Sequence, residues 1–168
     1  MTELKRITRA GVGAALQKAE RYRLLNEPSA AESICLDVLA VEPENQAALI
    51  QLALARSDQF GADLVGAGAV EQAREPLTRV EDAYKRAYYN GIVCERRAKA
   101  HLHSTSPAGG AIAYDWFARA MEFYTEAERL RPEGNDEALL RWNTCARIIE
   151  RHRLHPQEAE RYEPVLGE

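Results

Sequence analysis

Two distant segments of this chain carry the same spacing of small, large, small and proline side chains. Ala31, Cys35, Val38 and Pro43 stand four, three and five residues apart, and so do Ala120, Tyr124, Ala127 and Pro132. Steps of four and three keep side chains on one face of an α-helix. A proline five residues on ends that helix, because it disfavours helical geometry at the residue before it. The chain thus repeats one local solution, a helix that offers small residues to a close neighbour and then stops.

Helical spacing of apolar residues runs through nearly the whole sequence, and no segment alternates in the manner of a strand. Six main helices are expected. The first spans about Glu3 to Leu25 with Ala15, Ala19 and Tyr22 inward; Gly11 and Gly13 weaken its first half by about 1 kcal/mol each. After the turn Asn26-Glu27-Pro28, Ser29 and Glu32 have the spacing of a capping box. The second helix buries Ala31, Ile34, Cys35, Val38 and Leu39 and ends before Pro43. The third, Asn45 to about Arg56, is apolar nearly all round, which is the mark of a helix enclosed by others. Asp58 to Ala69 reads as an irregular connection. A long pattern from Val70 to His101 comes next, with Pro76 kinking it or marking its true start, and with the stripe Val80, Tyr84, Ala87, Gly91, Cys94, Ala98. His103 to Gly110 is a loop. The fifth helix, Ala111 to Leu130, has Trp116, Phe117, Met121 and Tyr124 on a wide apolar face. The sixth, Asp136 to Arg153, carries Ala138, Trp142, Cys145, Ala146 and Ile149. Residues 1–153 make one helical domain and 154–168 a polar tail, with a single turn expected near Gln157 to Arg161.

Composition narrows the class of molecule. Of 168 residues, 46% are hydrophobic and 29% charged, which is the balance of a globular chain rather than a disordered one. The net charge of −4 argues against nucleic acid as a partner, since that partner needs a concentrated positive field. No run reaches the roughly 20 apolar residues of a membrane span, so no membrane partner is expected. The first residues lack the apolar core of a secretory signal, and Glu3 argues against a transit peptide. Cys35, Cys94 and Cys145 are widely spaced, with no CxxC pair. They read as reduced, buried thiols of a soluble cytoplasmic protein.

The segment Val12 to Asn45 is 34 residues long, the length of one tetratricopeptide unit, and it resembles that family at its marker positions. Ala19 and Ala31 stand where two helices of a hairpin cross, Tyr22 where the family prefers an aromatic, and Pro43 at the terminal proline. Cys35 and Val38 depart from the usual aromatic and alanine. The Ala120 to Pro132 set resembles a second such unit. Tyr88 to Gly91 looks like its first helix, with Gly91 at the crossing and an insertion around HSTSPAGG.

The resemblance implies an all-α, right-handed solenoid of about three helical hairpins with an irregular middle. It also implies a non-enzymatic role: an adaptor or assembly factor that holds another protein or peptide in a concave groove. Tyr88, Arg96, Asn143 and Arg147 fall where the family's groove side chains stand. Some relatives hold a peptide's terminal carboxylate with Lys, Asn and Arg in such places, but this chain lacks the full lysine set. The alternative is that these residues form surface ion pairs with Glu95, Glu137 or Glu150.

Catalysis requires converging groups, and no nucleophile elbow, phosphate loop or metalloprotease helix is present. No catalytic residue, cofactor or metal is therefore expected. His101 with His103, and His152 with His155, would be the ligands of a small helical metal protein or enzyme, the least favoured alternative. Cys94, beside Arg96 and Arg97, is the thiol with the most positive sequence neighbourhood. Trp116, Trp142 and Met121 read as core filling between hairpins. The basic run Arg147, Arg151, His152, Arg153 suits a helix carboxyl terminus. A further alternative is a self-associating subunit, a homo-oligomer that buries the apolar third helix against another copy.

Overall fold

A computed structural model of the protein describes residues 2–61, 66 and 68–157. Within them the chain forms seven α-helices: α1 Val12–Leu24, α2 Pro28–Val41, α3 Gln46–Asp58, α4 Ala69–Arg74, α5 Ala83–Leu102, α6 Gly109–Leu130 and α7 Glu137–His152. There is no strand among the described residues, so the expected all-α class is correct.

Local chemistry sets the helix ends, and in several places it differs from expectation. α1 does not begin at Glu3. A 3₁₀ turn, Arg9–Gly11, precedes it, and the Thr8 hydroxyl accepts from the Gly11 N–H at 3.2 Å. Residues 2–6 are exposed and supply no inner face to hold a helical turn. α2 begins on Pro28, whose missing N–H costs nothing in a first turn. The capping box consequently does not form. Ser29 lies inside the helix and its hydroxyl donates to Gln59 at 3.2 Å. Glu32 accepts from Arg56 at 2.9 Å and Gln59 at 2.7 Å, which ties α2 to α3. Asn45 is a true cap of α3, accepting from the Ala48 N–H at 2.9 Å.

The long pattern from Val70 to His101 is broken rather than kinked. α4 passes into a 3₁₀ turn, Glu75–Arg79, that contains Pro76. Val80 is extended, and Asp82 caps α5 by accepting from the Lys85 N–H at 2.9 Å. At the far end Arg153 takes a left-handed conformation with φ of 50°. This lets the Leu154 N–H donate to the Ile149 carbonyl at 3.0 Å, and the Leu154 side chain is buried. Leu154 thus packs on the helical body although the last helix ends at His152. The turn expected near Gln157 to Arg161 lies almost wholly outside the described residues, as do parts of the Asp58–Ala69 connection.

Neighbours in sequence pack as neighbours in space: α1 on α2, α2 on α3, α3 on α4, α5 on α6, and α6 on α7. α1 also touches α3, and α3 touches α5. Small residues mark the closest approaches. Ala19 and Ala31 share one core cluster with Cys35, and all three have no exposed surface. Ala120 and Ala127 are equally enclosed. A Cβ on Gly91 of α5 would lie 2.5 Å from Cε1 of Tyr124 on α6, so only glycine permits that crossing. α3 is buried within the molecule from Ala48 to Ala55 except at Ile50 and Gln51. Its apolar circumference is satisfied inside a single chain and needs no second copy. No helix among the described residues is long and apolar enough to cross a membrane.

Candidate functional site

Two carboxylates, Asp58 and Glu95, organise the polar face between α1, α3, α5 and α7. Asp58 ends α3 and receives two arginines. Arg23 Nε of α1 donates to Oδ2 at 2.7 Å, and Arg96 Nη1 of α5 meets Oδ1 at 2.8 Å. The Arg96 guanidinium also donates to the Leu54 carbonyl at 3.0 Å and the Ser57 hydroxyl at 2.7 Å.

Glu95, the preceding residue on α5, is 1% exposed. Lys99 Nζ, one helical turn away, donates to it at 2.6 Å. The Tyr124 hydroxyl of α6 donates at 2.6 Å, and Arg141 Nη1 of α7 reaches both oxygens at 3.2 and 3.1 Å. Arg141 Nε also donates to the Tyr88 hydroxyl at 3.2 Å. Tyr88 and Glu95 are seven residues apart, two turns along one face, so a single Arg141 side chain can bridge them.

Burial acts to raise the Glu95 carboxyl, but the hydrogen bonds from Lys99 and Tyr124 and the charges of Lys99 and Arg141 outweigh it. Its pKa lies below the ordinary carboxylate value. Burial and the Glu95 charge push the Tyr124 phenol far up, so it stays a donor. The half-buried Tyr89 lies between the two clusters. Burial raises its phenol first, Tyr88 and Glu137 add to this, and Arg23 and Arg141 oppose it. Tyr84 and Tyr88 stack with ring centroids 5.8 Å apart.

A cleft of about 340 Å3 opens at the carboxyl ends of α3 and α5. Arg96 and Lys99 give it a cationic wall, and Phe60 and Ala100 an apolar one; Ser57, Asp58, Gly61 and His103 complete the lining. A hollow of about 480 Å3 on the open side of α1 is lined by Lys18, Arg21, Tyr22, Leu25 and their neighbours.

The four residues expected at a groove are placed unequally. Tyr88 is buried under Arg141 and packs against the ring of Tyr124. Arg96 lines the cleft, but its charge is met by Asp58 rather than by Glu95 or Glu137. Asn143 and Arg147 stand on the open face of α7. Arg147 lies nine residues past the buried Ala138, about half a turn around the helix. Neither Asn143 nor Arg147 makes a side-chain hydrogen bond or ion pair among the described residues, and none links them to Tyr88 or Arg96.

Sequence reasoning missed Arg141, Asp58 and Arg23, and treated Glu95 as a surface partner. One signal was present. Arg141 falls between Ala138 and Cys145 on the inner stripe of α7, and a cation there needs an inward carboxylate. Glu95, beside the inward Cys94, is such a group.

All three thiols are buried, as their place on the inner stripes implies. Burial pushes Cys35 and Cys94 up to about 11 and Cys145 up to about 12, so none is a thiolate at neutral pH. Trp116 packs against the core, whereas Trp142, expected inside, is 37% exposed. His101 is buried, and burial followed by the Arg97 charge lowers its pKa. His103 is exposed, with Nδ1 2.7 Å from the Lys99 carbonyl. No group of three or more His, Cys, Asp or Glu side chains that could hold a metal ion occurs among the described residues.

Comparison with models of known protein families, with curated proteins and with solved structures finds no match to this chain. Among the described residues, each of the two carboxylates is shared by two cations, Asp58 by Arg23 and Arg96 and Glu95 by Lys99 and Arg141.

Proposed function

We propose that this chain is a protein-binding module of tetratricopeptide-like build, an adaptor or assembly factor, whose hairpins stack as a short right-handed solenoid. It holds an acidic, partly apolar segment of another protein, and it is not an enzyme. The observation that carries this reading is the sharing of Asp58 and Glu95 by two cations each beside a cleft walled by Phe60 and Ala100. This local positive excess stands in a chain whose net charge is −4. The pairing order of the helices and the enclosed small residues Ala19, Ala31, Gly91 and Ala120 support the hairpin stack. Arg147, exposed and unpaired among the described residues, adds a second point for a carboxylate.

The test is capture of a partner from the host in which the protein is made. His103→Glu adds a negative charge to the cleft at an exposed position, and Arg147→Ala removes the open cation. Each is expected to weaken capture roughly fivefold, the equivalent of about 1 kcal/mol, with the melting temperature unchanged. Full capture by both variants would contradict the reading.

A second reading, self-association, has its own observation. The terminal helices expose apolar side chains: Leu24 at 83% and Leu25 at 61% at the end of α1, Leu140 at 61% and Trp142 on α7. Sedimentation across concentration decides it, because a self-associating chain gains mass as concentration rises and an adaptor does not.

A further inference from the structure

The seam between α3 and α5 is closed on its two sides by different means. The first half of the chain has its own core, in which Ala19, Ala31 and Leu52 join α1, α2 and α3. The second half has another, which runs through α5, α6 and α7 and takes in only Leu54 among the buried residues of α3. A third apolar cluster bridges the halves, with Leu49 and Ala53 of α3 against Val70 and Ala73 of α4 and Val93 of α5. Asp58 lies nine residues past Leu49, half a turn around α3. Its ion pairs therefore close the side of the seam opposite this cluster.

On that side a single nitrogen gathers the contacts. Arg96 Nη1 of α5 meets the Asp58 carboxylate at 2.8 Å, the Leu54 carbonyl at 3.0 Å and the Ser57 hydroxyl at 2.7 Å, all on α3. Arg23 of α1 holds the other Asp58 oxygen at 2.7 Å, so removing the carboxylate leaves two cations facing one another. Apolar packing is non-directional and tolerates a small rotation, whereas a hydrogen-bonded ion pair is directional and is lost when its atoms part. The bridging cluster is thus the pivot of the seam and Arg96 its catch.

We propose that Arg96 is a latch across the α3–α5 seam, and that its release opens the cleft by rotating the α1–α3 half against the α5–α7 half. Ser57, Asp58 and Arg96 themselves line the cleft, so its width depends on their contact. An occupant that needs the wider cleft shifts the balance between the latched and open states. The device belongs to the fold and stands with or without the partner reading above.

Spin labels at Glu20→Cys on α1 and Glu150→Cys on α7 of the full chain report the spread of the two halves by dipolar electron spin resonance. Both positions are exposed, and the three native thiols are buried and do not compete for the label. In that background Asp58→Asn and Arg96→Met are each expected to lengthen the distance by about 3 Å or more, the step that admits water between the parted groups. Glu32→Gln breaks the Arg56 pair between α2 and α3, inside one half. It is expected to lower the melting temperature without moving the labels. An unchanged distance in helical Asp58→Asn and Arg96→Met chains would overturn the proposal. So would an equal lengthening in Glu32→Gln, which marks general loosening. Should the larger changes cost helicity, Ser57→Ala removes one latch contact and leaves both charges. A tail of longer distances is then expected, and its absence would count equally against the latch.

Discussion

At the residue scale, Glu95 and Gly91 have the least freedom to change. Glu95 is buried and accepts from three side chains on three helices. Glu95→Gln removes the charge that Lys99 and Arg141 answer and is expected to cost about 2 kcal/mol at pH 7. The native carboxyl is depressed relative to its unfolded value, so its contribution is fully present above the unfolded pKa of about 4.3. It is lost as pH falls through the folded value. Denaturant titrations of both proteins should therefore differ at pH 7 and converge as pH drops below about 4; a constant gap would contradict the assignment. Gly91→Ala places a methyl group against the Tyr124 ring, whose hydroxyl is fixed on Glu95. Overpacking of about 1–3 kcal/mol then exceeds the helix-propensity gain of about 0.5–1 kcal/mol. Gly13→Ala meets nothing within 4 Å and should stabilise by a few tenths of a kcal/mol up to about 1. Thermal melts that moved in the same direction for both variants would refute this account of the crossing.

At the element scale, helix ends separate what the sequence made legible from what it did not. Asn45, expected as the first residue of the third helix, is its cap instead. Ser29 and Glu32 have the capping-box spacing, but Pro28 starts the helix a residue earlier and both side chains turn to Gln59 and Arg56 instead. Asn45→Ala should cost about 1 kcal/mol, and Ser29→Ala less than about 0.5 kcal/mol, as read from urea midpoints; equal losses would restore the capping box. Inner stripes were readable because apolar spacing reports them directly, as at Ala31, Cys35 and Val38. The polar contacts were less so. Whether Arg96 meets Glu95 or Asp58 depends on how α3 lies against α5, and no local spacing encodes that. Arg141 was hidden by a similar difficulty. A cation on an inner stripe looks like a surface residue until its carboxylate on another helix is found.

At the scale of the whole molecule, the ion pairs link helices that are distant in sequence: α1 to α3, α3 to α5, and α5 to α7. Each link leaves its carboxylate outnumbered by cations, so the contacts that join these four helices also set the sign of the face they share. In a chain whose net charge is −4, these cations are gathered on one face, and that face is where the function proposed above places an acidic partner. The most direct measurement is site-resolved photocrosslinking of a captured partner. A photoreactive residue is placed in turn at His103 in the cleft and at the exposed Leu36 on α2. Crosslinks at His103 that weaken with added salt, with none at Leu36, are predicted. Crosslinks that are equal at both positions, or that ignore salt, would contradict a charge-selective cleft.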